Sequence, residues 1–134
     1  MKTFQRETVS GVMDEIKPLI EMHWEEIAHF KDIPLDPDFD AYRKGEAAGK
    51  VRVFTVRSDG ELVGYAVFFD TALHYKSTRI ATQDILFILP AHRGLTGYRF
   101  IEYCDNELRK EGFQVVYQHV KVAHDFGPLL RRIG

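Results

Sequence analysis

The sequence predicts an α+β fold, a mixed and mainly antiparallel sheet flanked by helices on both faces. Three observations predict it. Apolar residues recur at helical spacing between Val12 and Ile27. From Val51 the period switches to two, with Ser58-Asp59-Gly60 between two β-rich runs. A third β-rich run ends at Pro90 and passes through a glycine-containing loop into a second helical pattern. With 134 residues, 45% of them hydrophobic, and no repeat or linker, one domain spanning residues 1–134 is expected.

Taken in order, Phe4 to Glu7 reads as a short strand. Ser10 is the candidate N-cap of the first helix, with Asp14 and Glu15 in its first turns. Val12, Ile16, Leu19, Ile20, His23 and Ile27 form its apolar stripe, and Pro18 inside the pattern predicts a kink or two abutting segments. Residues 31–37 contain two prolines and read as a loop. Asp38 to about Ala48 forms a second short helix, stopped near Gly49.

The runs 51–57 and 61–69 pair as an antiparallel hairpin, and the second is apolar on both faces, which suits a central strand. Residues 71–77 turn the chain again before the run 79–89. The helix after Gly97 carries Phe100, Ile101, Cys104 and Leu108 on one face and ends near Gly112. Residues 114–121 form a last strand, and a short helix is expected around Phe126 to Ile133.

Charge and cysteine content exclude several classes. Acidic residues outnumber basic ones, 20 to 18, for a net charge of −2, which argues against a dedicated nucleic-acid binder. Cys104 is the single cysteine, so neither an intrachain disulfide nor a cysteine zinc cluster can form. No apolar run approaches the roughly 20 residues that cross a bilayer. A soluble, cytoplasmic protein with no membrane partner is expected. His119 and His124 stand five apart with no third ligand at a matching spacing, so no metal site is expected.

The sharpest chemical signal runs from Asp84 to Leu108. A loop of small residues that feeds a helix presents unpaired N–H groups beside the positive end of the helix dipole. Such a place binds phosphate or pyrophosphate without many basic side chains. Gly94 and Gly97 permit close backbone approach, and Arg93 can add a charge-assisted contact.

The stretch Leu86-Phe87-Ile88-Leu89-Pro90-Ala91-His92-Arg93-Gly94-Leu95-Thr96-Gly97-Tyr98-Arg99-Phe100-Ile101 resembles the strand, pyrophosphate loop and helix of the GNAT superfamily of N-acetyltransferases. Upstream, residues 59–68 are similar to that family's hairpin into its third strand; downstream, residues 129–134 resemble the helix that closes the cofactor cleft. Counted from Arg93, Thr96 and Tyr98 stand where the family loop usually has glycines, and Leu130 stands where it often has a tyrosine acid.

The resemblance implies acetyl-CoA as donor and a primary amine of a small molecule or protein as acceptor, acetylated by direct attack. It places Phe87, Ile88, Leu89, His92, Arg93, Gly94, Leu95, Thr96, Gly97 and Tyr98 around the cofactor, with a backbone N–H near Phe87 to Leu89 as oxyanion donor. It also implies a GNAT-like sheet whose C-terminal closing strands are missing from this sequence. The edge Val115 to Lys121 would then take a strand either from a continuation of the chain or from a second copy, giving a homodimer.

Asp84 interrupts an apolar strand and reads either as the general base or as a buried acid satisfied by a loop N–H or an arginine. Tyr117 and His119 share one face of the last strand and read as proton donors or as packing. The resemblance places His23, Glu26 and Asp36 on the wall of the acceptor pocket, where they would hold a cationic substrate; a core histidine and a solvated acidic face are the other reading. Cys104 lies on an apolar helix face and reads as core. The functional alternative is a non-catalytic protein of the same fold that binds a partner protein through the cleft or the exposed edge.

Overall fold

A computed structural model describes residues 2–27, 39–70 and 79–117, without the side chains of residues 26 and 27. Strand β1 (Lys2–Glu7) leads into helices α1 (Val9–Ile27) and α2 (Phe39–Ala47). Strands β2 (Val51–Ser58), β3 (Glu61–Asp70) and β4 (Ile80–Ile88) follow, then a 3₁₀ turn at Pro90–His92, helix α3 (Leu95–Lys110) and strand β5 (Val115–Tyr117). The sheet order is β1-β2-β3-β4-β5, so the doubly apolar β3 is the central strand. The first four strands are antiparallel; β5 runs parallel to β4, a pairing that requires a crossover, which α3 supplies.

Alternation along the strands builds two apolar layers. Tyr65 and Val67 of β3 face α1 and α2, where Val12, Ile16, Leu19 and Ile20 cover them. Ala66 and Phe68 face the other way and pack with Phe54 of β2 and with Phe100, Cys104 and Leu108 of α3. Each large side chain buried this way contributes about 1.5–3 kcal/mol, so the two layers fix the helices on opposite faces. Cys104 is buried in the α3 layer, and desolvation pushes its thiol well above its ordinary pKa, as suits a packing residue. The β2–β3 hairpin closes at Ser58↔Glu61 over Asp59-Gly60, whose φ values of 51° and 88° make the twist-matched two-residue turn that favours glycine.

Two local expectations change. The first helix starts one residue before Ser10: the Thr8 hydroxyl accepts the Gly11 N–H at 3.0 Å, and the Glu46 carboxylate of α2 takes the Val9 N–H with both oxygens at 3.0 Å. A carboxylate arriving from another helix outcompetes a local serine, because it brings charge to the positive end of the helix. Pro18 does not divide the helix; α1 is one helix of 19 residues, with Pro18 on its exposed face, where water can reach the carbonyl that loses its donor.

One irregularity matters for function. Val67 pairs with Ile85 but Phe68 pairs with Gln83, so Asp84 is the extra residue of a β-bulge in β4. Pairing with β5 covers Ile80, Ala81 and Thr82 and stops, among the described residues, just before that bulge. The loop at 31–37, the turn at 71–77, the strand residues 118–121, Leu130 and the C-terminal helix lie outside the described residues. Among the described residues, no helix is long and apolar enough to cross a membrane.

Candidate active site

The bulge decides where Asp84 points. An extra residue breaks the alternation of β4, so Asp84 and Ile85 both reach the α1/α2 side of the sheet. There the Tyr42 hydroxyl of α2 donates to Asp84 Oδ2 at 2.5 Å. This short, charge-assisted bond holds a half-buried carboxylate in one orientation.

Tyr65 stands beside this pair from the central strand. Its side chain is fully buried, and its hydroxyl has no hydrogen-bond partner among the described residues. Burial first, then the charges of Tyr42 and Asp84, push the phenol well above its ordinary pKa, so it stays protonated. Tyr42, Tyr65 and Ile85 line a cavity of about 30 Å³ whose remaining walls are apolar side chains of α1, α2, β2 and β3.

Phe87 links this cluster to the following turn. Its ring lies 5.0 Å from that of His23, stacked, and 6.4 Å from that of Tyr65. The Arg93 guanidinium lies 5.5 Å from the Phe87 ring centroid, and Arg93 Nε donates to the Ile88 carbonyl at 2.7 Å. Arg93 therefore ties the turn back to the end of β4.

The amides of the turn divide into two sets. His92 N–H donates to the Leu89 carbonyl at 2.8 Å, Arg93 N–H to Pro90 at 3.4 Å, and Tyr98 N–H to Gly94 at 3.2 Å. Between them, the N–H groups of Leu95, Thr96 and Gly97 have no acceptor among the described residues, and no side chain caps the helix. Gly94 occupies the cap position at φ 93°, ψ −125°, a conformation that suits glycine, and Leu95 beyond it is exposed. The start of α3 is thus an array of three open donors at the positive end of a helix of 16 residues, a fit for a diphosphate.

Among the strand residues, the Leu89 amide is committed to the Val63 carbonyl at 2.8 Å. Antiparallel alternation then turns the Phe87 amide toward β3 and the Ile88 amide away from it, so of the three expected oxyanion donors Ile88 alone faces outward. His23 packs on Phe87 beside the cluster. Tyr117 is exposed on β5, paired with Thr82, two positions before Asp84. His119 and Asp36 lie outside the described residues, as does the Glu26 side chain. Tyr42 and Tyr65 were not picked out by sequence. The available signal was a pair of tyrosines inside apolar patterns, Tyr42 three residues after Phe39 on α2 and Tyr65 in the middle of β3.

Solved structures align with this arrangement of strands and helices over nearly the whole chain. The fold is that of the GNAT acetyltransferases. An aminoglycoside acetyltransferase from an uncultured soil metagenomic sample, in complex with sisomicin, aligns with a TM-score of 0.76 at 17% identity, covering 98% of this chain and 86% of its own. A predicted acetyltransferase with acetyl-CoA from Clostridium acetobutylicum gives a TM-score of 0.74 at 10% identity over 100% of this chain and 89% of its own. A ribosomal-protein-alanine N-acetyltransferase from Brucella melitensis biovar Abortus 2308 gives 0.71 at 15% identity over 100% and 88%. No family model matches the sequence, and no curated protein matches it. Within the GNAT fold, the β4 bulge carries Asp84 and the start of α3 carries the open amides.

Proposed function

We propose that this chain is an acetyl-CoA-dependent N-acetyltransferase that moves an acetyl group to a primary amine by direct attack. The observation that carries the reading is the set of unpaired Leu95, Thr96 and Gly97 amides at the start of α3, on the same strand-turn-helix unit as the Asp84 bulge. The GNAT structures with this fold, one of them with acetyl-CoA, support the same reading.

Leu95, Thr96 and Gly97 would hold the diphosphate of acetyl-CoA, whose thioester supplies the activated acetyl group. The outward Ile88 amide would donate to an oxyanion at no reorganisation cost. Asp84 accepts a proton from the acceptor ammonium or amine, directly or through water, and the Tyr42 hydrogen bond keeps its carboxylate aimed. His23, stacked on Phe87, forms a wall on the acceptor side. Tyr117, on the face of β5 that Thr82 shares, is the described candidate for returning a proton to the leaving thiolate.

Calorimetry with acetyl-CoA, followed by a thiol-release assay over a panel of primary amines, tests the reading. Saturable binding and amine-dependent release of free CoA are expected. An absence of acetyl-CoA binding at submillimolar concentration would replace the enzyme with a partner-binding protein of the same fold.

A further inference from the structure

Two peptide planes end β4 before the turn. The first joins Phe87 to Ile88 and carries the N–H that the proposed function assigns to the oxyanion. Its carbonyl faces β3: a Cβ added to Gly64, the residue paired with Ile88, would stand 2.9 Å from the Phe87 carbonyl oxygen. Glycine there lets the two backbones approach closely. Because a peptide is planar, a carbonyl lodged against β3 aims its N–H away from β3.

The second plane joins Ile88 to Leu89 and is held at both ends. Its N–H donates to the Val63 carbonyl at 2.8 Å, and its carbonyl accepts from Arg93 Nε at 2.7 Å. The Ile88 carbonyl leaves the strand on the same side as the Ile88 N–H. Uncovered, it would set the negative end of a dipole beside a developing oxyanion; the Arg93 guanidinium reverses that sign. The same guanidinium lies 5.5 Å from the Phe87 ring centroid. Phe87 is buried in the α1 layer, not in the α3 layer whose helix starts with the open amides. Both contacts place Arg93 at the strand end.

We propose that Arg93 is a positioning residue for the oxyanion donor: it locks the last peptide of β4, keeps the Ile88 N–H aimed, and covers the carbonyl that would oppose the charge. The inference rests on the acetyltransferase reading and deepens it. It assigns Arg93 to the thioester end of the cofactor, whereas the sequence suggests a contact to the diphosphate.

The test compares the parent with Arg93→Gln and Arg93→Lys in three measurements. These are calorimetry with acetyl-CoA, kcat on a primary amine that the parent acetylates, and the infrared band of the ¹³C-labelled thioester carbonyl of bound acetyl-CoA. In the parent that band should lie below the band of free acetyl-CoA, as a hydrogen-bonded carbonyl does. Arg93→Gln should lower kcat about tenfold to a hundredfold, the effect of a misaimed group, with the acetyl-CoA Kd within about twofold of the parent. Its carbonyl band should move back toward the free value. Arg93→Lys, which keeps a cationic donor without the guanidinium fork, should fall between the two in kcat and in band position.

A weakened Kd with kcat at saturation and the band unchanged would make Arg93 a phosphate ligand and overturn the inference. So would a carbonyl band in Arg93→Gln identical to that of the parent. Equal losses of binding and turnover with a lowered melting temperature would reduce Arg93 to a structural role and overturn it as well. Failure of the parent to bind acetyl-CoA, or to release CoA with any amine, would instead overturn the acetyltransferase reading on which it stands.

Discussion

The two ends of α3 are treated in opposite ways. At the C-terminal end the protein satisfies the helix itself. Arg79 donates to the Glu111 carbonyl, the buried Arg52 pairs with the Glu111 carboxylate at 2.9 Å, and both guanidiniums lie over the Phe113 ring, at 4.8 Å for Arg52 and 4.1 Å for Arg79. Arg52 also donates to the Gly49 carbonyl at 2.9 Å, which ties the exit of α2 into the same knot. Cations at the negative end of the helix dipole complete the arrangement. At the N-terminal end there is no side-chain cap, the cap residue is a glycine, and three amides point outward. Both ends begin with orphan backbone groups. Where the chain supplies the partners itself it makes scaffold; where it leaves donors open after a bulged strand it keeps the amides that the proposed function assigns to an anion.

That contrast can be broken by mutation. The largest effect is expected at the open end, in Asp84→Asn. Loss of a general base lowers kcat by roughly 10²–10⁴, whereas acetyl-CoA affinity and melting temperature should hardly move; a kcat within a few-fold of the parent would remove Asp84 from the chemistry.

Gly94→Ala comes next. An added Cβ would meet no atom within 4 Å, but the positive φ resists it, at a cost of about 1–3 kcal/mol. Calorimetry should show acetyl-CoA binding weakened about tenfold or more.

The closed end should respond in stability and not in binding. Glu111→Gln leaves the Arg52 guanidinium buried without its counter-charge, at a cost of about 2 kcal/mol. Thermal unfolding should therefore fall by several degrees with acetyl-CoA affinity unchanged. A variant that lost affinity in proportion would show that the two ends of the helix are not independent.

The smallest effect concerns the framework between β1, β2 and α1, where Arg57 pairs with Glu7 at 2.9 Å and Glu15 at 2.8 Å. Burial alone would raise the Glu7 pKa, but hydrogen bonds from Arg57, Gln5 and Thr55 overcome it and hold the carboxyl at about 2. A folded pKa below the unfolded value means the stabilisation is complete above about pH 4.5 and is lost as pH falls toward 2. After discounting for solvent screening it is worth on the order of 1–2 kcal/mol. Urea unfolding at pH 5, 4 and 3 should show this decline in the parent and a smaller one in Glu7→Gln.

Much of the framework was legible because its signals are local. Asp59-Gly60 between alternating runs marks the hairpin turn, Gly49 and Gly112 mark helix exits with positive φ, and the period of residues 12–20 marks the buried stripe of α1. The N-terminus of α1 was misread because its strongest partner, Glu46, comes from 37 residues away. The candidate site was half legible for the same reason. Asp84 announced itself as a charge in an apolar strand, but Tyr42, Tyr65 and Asp84 meet only after α2, β3 and β4 assemble, and the bulge that aims Asp84 depends on pairing with β3. In the turn, glycines signalled open amides correctly as a class; which amides stay open depends on the 3₁₀ turn, which consumes those of His92 and Arg93.

The most direct test follows backbone amide resonances of the ¹⁵N-labelled chain during a titration with coenzyme A. The account predicts saturable shifts at Leu95, Thr96 and Gly97, with Glu111 and Gly112 at the far end of the helix unmoved. Saturation by coenzyme A with those three amides unperturbed would contradict it.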